Sequence, residues 1–330
     1  MSNAAPPLFA AREPIFPRRV SGFFRRLKWV ILILTLGVYY VTPWLRWDRG
    51  PNLPDQAVLV DLANRRFHFF WIEIWPHEFY FVAGLLIMAG IGLFLVTSAV
   101  GRAWCGYACP QFVWTWLFIW AERITEGDRN QRIKQDKKPM TKQLFLRKSL
   151  KHIIWLVIAI TSAIAFIGYF TPIRELTPSF FNFTLGPWEF WWIGFIAVAT
   201  YGNAGWMREQ VCIYMCPYAR FQSVMFDEDT LIISYDEKRG ESRGKRSKKI
   251  DYKAAGLGDC IDCNHCVNVC PTGIDIRDGL QYQCINCALC IDGCNSVMEQ
   301  MGYEKGLISY TTENILDGKP SHFLRPRLVG

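Results

Sequence analysis

This chain of 330 residues lacks two common sequence motifs that bind nucleotides. It contains neither a G-x-G-x-x-G fingerprint nor a Walker A sequence, so nothing supports oxidation of bound NADH or ATP-driven work. The basic run from Lys238 to Lys249 has no aromatic residue, which argues against base stacking and therefore against a nucleic acid partner. We interpret this run as part of a flexible linker that lies near anionic lipid headgroups.

Charge is absent from four apolar stretches whose lengths suit a bilayer core of about 30 Å. They are Trp29 to Leu45, Phe79 to Val100, Ile153 to Ile173 and Phe190 to Met207. Tryptophan and tyrosine cluster at their borders, as in an aromatic belt. No small-residue cleavage site follows the first stretch, which argues against a signal peptide. Buried helices of a soluble protein are the alternative, but four such stretches favour a multi-pass membrane protein.

Lysine and arginine set the expected orientation. They are abundant in the N-terminus, which includes Arg12 and Arg25, and again between Arg102 and Lys151. By the positive-inside rule both regions are cytoplasmic, and so is the chain that follows the fourth stretch. Thiols are kept reduced in the cytoplasm, so the 12 cysteines indicate metal or redox chemistry rather than disulfides.

Eight cysteines near the end of the chain repeat one spacing. Cys260, Cys263, Cys266 and Cys270 form C-x2-C-x2-C-x3-C-P, and Cys284, Cys287, Cys290 and Cys294 repeat it without the proline. In bacterial two-cluster ferredoxins the fourth cysteine of each run binds the other cluster. One [4Fe–4S] cluster is thus assigned to Cys260, Cys263, Cys266 and Cys294, and the other to Cys284, Cys287, Cys290 and Cys270. A zinc ribbon does not repeat a C-x2-C-x2-C triplet, so two clusters are predicted.

The remaining four cysteines form two copies of C-x-Y-x-C-P. Cys105 and Cys109 follow the second apolar stretch, and Cys212 and Cys216 follow the fourth. The proline suits the first position of a new helix, so Cys109 and Cys216 are expected near helix N-termini, where thiolate is favoured. The aromatic helices that follow, 112–121 and 218–226, are too short to span and are expected at the membrane interface.

The repeat predicts a pseudo-symmetric arrangement in which both pairs of thiols meet at the cytoplasmic edge of the bundle. Four converging thiolates would form a soft-metal site for Cu(I), zinc or an iron–sulfur cluster. The alternative is that these cysteines are small buried hydrophobic residues without a ligand. Two matching copies favour the metal-binding interpretation.

The cysteine-bearing stretches together resemble the cytochrome c oxidase accessory proteins of the CcoG/FixG type. The stretches are 260–298, WCGYACPQFVWTW from Trp104, and CIYMCPYARFQ from Cys212, and the resemblance extends from about Arg25 onward. It implies a bacterial inner-membrane protein that reduces Cu(II) to Cu(I) while a haem–copper cytochrome oxidase is assembled. It also implies that Cys105, Cys109, Cys212 and Cys216 handle copper. Expected partners are membrane lipid, a cytoplasmic electron donor, and oxidase subunits or copper chaperones.

The resemblance has two departures. Asn295 follows Cys294, where simple ferredoxins often have proline. Members of the family also continue into a further span and an immunoglobulin-like domain, so Arg325, Pro326 and Arg327 are expected to precede a missing span. Two alternative functions remain open. One is an electron-transfer subunit of a quinone-linked respiratory reductase, and the other is a non-redox assembly factor that only carries copper.

The expected architecture is an α-helical membrane domain of four transmembrane helices, arranged as two parallel repeats, plus a small α+β ferredoxin-like domain with two clusters. Its expected divisions are a basic N-terminus (1–27), the membrane domain (28–233), a basic linker (234–257), the ferredoxin domain (258–303) and a C-terminal segment (304–330).

Overall fold

The structure is a computed structural model that describes residues 14–50, 53–248 and 252–322, together with Arg325. Arg12, Lys249, Pro326 and Arg327, which entered the sequence interpretation as membrane flanks or linker, lie outside these residues.

Most of the regular structure is helical. Up to Met225 the α-helices are α1 (Phe23–Val41), α2 (Phe79–Val100), α3 (Ala103–Tyr107), α4 (Pro110–Thr125), α5 (Arg129–Asp136), α6 (Lys142–Ile167), α7 (Ile173–Phe181), α8 (Pro187–Thr200) and α9 (Pro217–Met225). Two π-helices, Tyr201–Met207 and Val211–Met215, precede α9. Beyond Met225 follow α10 (Glu237–Gly240), α11 (His265–Val269), α12 (Leu289–Met301) and α13 (Glu313–Leu316). Short 3₁₀ turns cover Thr42–Trp44, Pro76–Glu78 and Ile276–Asp278.

Two small antiparallel sheets lie at opposite ends of the chain. The first contains β1 (Val58–Asp61), β2 (Arg66–Phe69) and β3 (Ile72–Ile74), in that order. The second pairs β4 (Ile232–Tyr235) with β5 (Ile308–Thr311), so that Ile233 lies opposite Tyr310.

Among the residues that the structure describes, three helices are long and apolar enough to cross a membrane, and they contain α1, α2 and α6. Helix α2 has the bounds predicted from the sequence, and its 22 residues extend about 33 Å. Helices α1 and α6 both begin earlier than predicted, at Phe23 and Lys142. The reason is the same in both, because a polar side chain caps the first turn and extends the helix past the apolar stretch. Thr141 caps α6, and the Asp292 carboxylate accepts hydrogen bonds from the first turn of α1.

The fourth predicted span does not form one long α-helix. Helix α8 has 14 residues, about 21 Å, and the chain then continues as the π-helix Tyr201–Met207. Gly205 explains part of this change, because a Cβ atom there would lie 2.9 Å from Cζ3 of Trp155. The backbone therefore packs directly on α6, and the three-helix count differs from the four spans that the sequence suggested.

Helix α4 was expected at the membrane interface, and this position stays a prediction. The helix extends from Pro110 to Thr125 and is the most buried of the helices before Met225, with Phe112, Val113, Trp116, Phe118 and Ile119 all in the core. Trp120 and Ile124 remain exposed on one side, so other parts of the protein cover most of the helix but not all of it. Helix α9 does keep an exposed apolar face, which includes Phe221 and Val224.

The ferredoxin-like part folds around β4, β5, α11 and α12. Ile233 and Tyr235 of β4, Leu307 and Ile308 belong to its core together with several of the predicted cluster cysteines. Thus β4 lies where the flexible linker was expected to begin. The described part of that linker also makes specific contacts: Arg239 forms an ion pair with Asp259, and Arg246 donates to Tyr303 and to the carbonyl of Gly258.

Candidate functional site

Two cavities in the ferredoxin-like part are lined by the predicted ligands, five in one cavity and four in the other. We call the first the inner cavity, which is lined by Cys270, Cys284, Cys287 and Cys290, with apolar side chains between them. The second, the outer cavity, is lined by Cys260, Cys263, Cys266 and Cys294. Cys266 reaches both cavities. Apart from Cys266, the cysteines group around the cavities as the spacing predicts, with the last cysteine of each run beside the other run. The assignment of individual cysteines to two crossed sets stays a prediction.

The loops that carry the cysteines share an unusual backbone. Asp262 and Asn264 in the first run, and Asn286 and Ala288 in the second, all have positive φ. Left-handed residues reverse the chain tightly, and asparagine and aspartate tolerate this conformation better than most residues. Asn264 and Ala288 then directly precede α11 and α12. The repeated turns direct successive thiols towards one cavity, so the sequence repeat is also a geometric repeat.

The cavities fit iron–sulfur clusters. Burial raises the pKa of Cys284 and of Cys294 to about 12, so a thiolate there requires a compensating positive charge such as iron. Within the described residues, no three or more His, Cys, Asp or Glu side chains lie as close together as the ligands of a single metal ion. A [4Fe–4S] cubane binds each thiolate through a different iron, which places its ligands farther apart than those of one ion. The cavities therefore suit clusters better than a single ion.

The two C-x3-C-P motifs lie at the ends of two helices. We call Cys105 to Pro110 the first motif and Cys212 to Pro217 the second motif. Helix α4 begins at Pro110 and α9 at Pro217, as predicted, so Cys109 and Cys216 occupy the N-cap positions. The four thiols are close enough to influence one another: Cys212 interacts electrostatically with the other three.

The surroundings of Cys105, Cys109 and Cys212 favour the protonated thiol at each of these three residues. Burial raises the pKa of Cys105 to about 11, although the positive charge of Arg102 opposes this effect. Burial likewise raises the pKa of Cys212 to about 12. At Cys109 burial raises the pKa, whereas hydrogen bonds from the backbone N–H groups of Gln111 and Phe112 lower it. In the metal-free protein these groups are therefore thiols at neutral pH.

The first motif lies directly against the inner cavity. A Cβ atom on Gly106 would lie 2.5 Å from the carbonyl oxygen of Ile285 and 3.0 Å from Cα of Cys287, so only glycine allows this approach. Cys105, Cys287 and Ile285 belong to one hydrophobic cluster, which also contains Trp116 of α4. The membrane helices and the ferredoxin-like part therefore share a continuous core at this point.

Arg102 and Gln222 connect Cys105 to the inner cavity by hydrogen bonds. Oε1 of Gln222 accepts from Sγ of Cys105 at 3.2 Å and from Nε of Arg102 at 2.9 Å. The guanidinium of Arg102 also donates to the carbonyl of Tyr282 and, at 3.3 Å, to that of Cys284. Both side chains are buried. Sequence reasoning noted Arg102 only as a neighbour of the motif and missed Gln222, which is an ordinary polar residue in its own helix.

Further contacts fix the ferredoxin-like part on the helix ends. Asp292 of α12 accepts hydrogen bonds from the backbone N–H groups of Phe24 at 3.3 Å and Arg25 at 2.7 Å. A side chain at Gly22 would overlap this carboxylate. Nδ2 of Asn286 donates to the carbonyls of Val100 and Leu231, both at 3.3 Å. The loop that carries Cys284 and Cys287 is thus hydrogen-bonded to the end of α2.

Known proteins similar to this chain share both the cluster domain and the helices before it. Residues 207–313 match the family model of a 4Fe–4S dicluster domain, and this range includes the second motif. The chain is 55% identical over 306 residues to the nitrogen fixation protein FixG of Rhizobium meliloti, which covers 93% of the chain and 58% of that relative. It is 54% identical to RdxA and 56% identical to RdxB of Cereibacter sphaeroides, over 92% of the chain and 64% and 63% of those relatives.

Over these residues the chain belongs to the FixG, RdxA and RdxB family. It spans about six tenths of the length of the FixG-family relatives that it matches. No solved structure is significantly similar to it. Membership in the FixG family, the dicluster domain and the cysteine-lined cavities support two bound [4Fe–4S] clusters. The three long apolar helices indicate a multi-pass membrane protein.

Proposed function

We propose that this chain is a membrane-bound iron–sulfur electron-transfer protein that reduces Cu(II) to Cu(I) at Cys105, Cys109, Cys212 and Cys216. The reduction would serve the assembly of a haem–copper cytochrome c oxidase. The observation that carries the proposal is the direct packing of Gly106, next to Cys105, on the backbone of Ile285 and Cys287. The clusters supply one-electron transfer when they are bound.

The cysteines divide into two ligand sets and a substrate site in this proposal. The inner cavity holds one cluster through Cys270, Cys284, Cys287 and Cys290, and the outer cavity holds the other through Cys260, Cys263, Cys266 and Cys294. Because Cys105 borders the inner cavity, the inner cluster is the one that exchanges electrons with bound copper. The outer cavity includes the exposed Cys263, which makes it the side open to an electron donor.

The chemistry of the four thiols suits copper as a substrate. Soft thiolate ligands stabilise Cu(I) relative to Cu(II), so copper held there is easier to reduce. Cu(I) accepts two thiolate ligands, so one pair of cysteines suffices to hold it. Copper binding must displace protons from thiols whose pKa is raised by burial, which favours release of Cu(I) to a partner with more accessible thiolates.

The proposal also includes the arrangement of the protein in the membrane. In this proposal, helix α8 and the π-helix Tyr201–Met207 together form a fourth span, which packs on α6. By the positive-inside rule, the basic segments that flank the helices support a position of the ferredoxin-like part on the cytoplasmic side of a bacterial inner membrane. An unidentified cytoplasmic donor would reduce the clusters, and a copper chaperone or an oxidase subunit would receive Cu(I).

A metal analysis with a matched activity assay tests the function. Protein purified without oxygen is compared with a variant in which Cys105, Cys109, Cys212 and Cys216 are all serine. Tyr214→Phe, a change at an exposed residue of the second motif, is the control. We expect about eight irons in all three proteins. Reduction of Cu(II), followed with a Cu(I)-specific chelator, is expected to be lost in the serine variant only.

Other outcomes of this experiment support different functions. More than eight irons in the parent, with a fall to about eight in the serine variant, would indicate a third cluster and an electron-transfer subunit of a quinone-linked reductase. Copper binding that persists after the clusters are removed, without reduction in the loaded protein, would indicate a copper carrier. Unchanged reduction in the serine variant would show that the thiol assignment is wrong.

A further inference from the structure

Lys28 of α1 is a buried lysine without a hydrogen-bond partner. Its side chain is 3% exposed, and Nζ has no acceptor within the part of the chain that the structure describes. Three aromatic rings surround the ammonium group, with centroids 4.6 Å away at Trp116, 5.8 Å at Tyr107 and 5.9 Å at Phe112. Cation–π attraction offsets only part of the cost of removing an ammonium group from water. The site therefore lacks a negative partner.

The inner cavity is the place from which a negative partner for Lys28 could come. No described carboxylate lies within ion-pair distance of Lys28, and the nearby charged side chain of α1 is Arg25, which is also a cation. Trp116 and Phe112, whose rings flank the ammonium group, pack in one hydrophobic cluster with Cys287, and negative charge at Cys287 or Cys270 would attract the ammonium group. Both of these cysteines line the inner cavity.

Arg102 is a second buried cation beside the same cavity. Its partners are Gln222 and the carbonyls of Tyr282 and Cys284, and none of these is a carboxylate. The outer cavity differs, because the cation that lines it, Arg277, forms ion pairs with Asp262 at 2.7 Å and Asp275 at 2.6 Å. At the inner cavity both buried cations therefore lack a carboxylate partner among the described residues. At the outer cavity the buried Arg277 has two, and Arg246, which donates to the carbonyl of Cys260, is only half-buried.

We propose that Lys28, assisted by Arg102, is the buried counter-charge of the inner cluster and raises its reduction potential above that of the outer cluster. A cluster with four thiolate ligands gains one further negative charge on reduction, and a nearby buried cation stabilises the reduced form more than the oxidised form. The electron then resides on the cluster that borders Cys105. This inference rests on the assignment of the cysteines to two clusters and does not involve copper.

A redox titration followed by electron paramagnetic resonance tests the inference on the cluster-loaded full chain. Cys263→Ser, at the exposed ligand of the outer cavity, changes or removes the signal of the outer cluster and so assigns the two signals. In the parent we expect the inner cluster to have the higher midpoint potential. A higher potential at the outer cluster would overturn the proposal, whether or not any Lys28 variant assembles.

Variants of Lys28 test the charge itself. Lys28→Met removes the charge at similar volume and is expected to lower the midpoint potential of the inner cluster only. Lys28→Arg retains the charge and is expected to keep that midpoint potential close to the value of the parent. Lys142→Met changes an exposed lysine at the start of α6 and is the matched control, with both potentials unchanged. An unchanged potential in Lys28→Met, an equal fall in both clusters, or an equal fall in Lys28→Arg would overturn the proposal. None of these results affects copper reduction by the thiols, so failure here is distinct from failure of the proposed function.

Discussion

The two C-x3-C-P motifs have the same sequence pattern and different surroundings. In the first motif, Gly106 packs on the loop of the inner cavity and Cys105 is buried. In the second, Ile213 replaces the glycine and Tyr214 is 51% exposed. The upstream arginines also diverge, because Arg102 binds the cluster loop whereas Arg208 forms an ion pair with the buried Glu122 of α4. The shared spacing thus gives two similar helix starts, whereas the close backbone contact with the loop of the inner cavity is made by Gly106 of the first motif.

The largest expected effect is a difference in unfolding free energy between a variant of Arg208 and a variant of Arg102. Glu122 is 1% exposed and pairs with Arg208 and Arg132, so Arg208→Met leaves a buried carboxylate with one partner fewer. We expect a loss of about 3–5 kcal/mol of unfolding free energy, measured by denaturant titration in detergent. Arg102 has no carboxylate partner, so Arg102→Met leaves no carboxylate unpaired and is expected to lower the unfolding free energy by less. The same change is expected to lower the rate of copper reduction at least tenfold. Equal losses of unfolding free energy in the two variants would contradict the proposed difference between the two arginines.

The next effect concerns the residue after the first cysteine of each motif. Gly106→Ile makes the first motif resemble the second, and its side chain must displace the backbone of Ile285 and Cys287. We expect a loss of about 1–3 kcal/mol from overpacking, together with slower copper reduction. Ile213→Gly is the reciprocal change, and it is expected to leave the rate of reduction within about twofold because no cluster loop contacts that position. Thermal unfolding and single-turnover copper reduction measure both effects.

Gln222 provides a third test, because it connects the first motif with Arg102. Gln222→Leu removes the acceptor for Cys105 and Arg102 and leaves a buried guanidinium N–H without a partner. We expect a loss of about 1–3 kcal/mol and a change in the inner-cluster spectrum, with the outer cluster unaltered. Tyr218→Phe, which removes a hydroxyl bonded to Thr97 in the same helix pair, is a suitable control with both spectra unchanged.

The smallest expected effect is a pH dependence that reports which thiols bind copper. The pKa is about 11 for Cys105 and about 12 for Cys212, so both thiols are protonated between pH 6 and pH 9 and must lose a proton to bind Cu(I). Affinity should therefore rise with pH, about tenfold per pH unit for each thiol that binds. Competition with a Cu(I) chelator measures this slope. If both motifs bind the ion, Cys105→Ser and Cys212→Ser should each lower the slope of affinity against pH by one proton. An effect of Cys105→Ser alone would restrict binding to the first motif.

Sequence patterns predicted the elements that depend on short-range or periodic information. The uncharged stretch Phe79–Val100 predicted α2 with its observed bounds, since length and polarity alone decide whether such a segment suits a bilayer. Pro110 and Pro217 predicted two helix starts, because proline tolerates the first helical position and not the interior. The break in the fourth predicted span was not predictable in this way, because the close approach of Gly205 to Trp155 involves two separate helices.

The sequence by itself determined the cluster domain and the paired C-x3-C-P motifs, because ligand chemistry requires particular residue types at fixed spacings. The assignment of the cysteines to two crossed sets stays a prediction. The tertiary structure alone decided which cavity borders Cys105, that Asp292 caps α1, and that Lys28 and Arg102 lie beside the inner cavity without carboxylate partners. These residues are distant in sequence, and their contacts arise from the packing of the ferredoxin-like part on the helix ends. Long-range packing, rather than local pattern, distinguishes the two otherwise similar motifs.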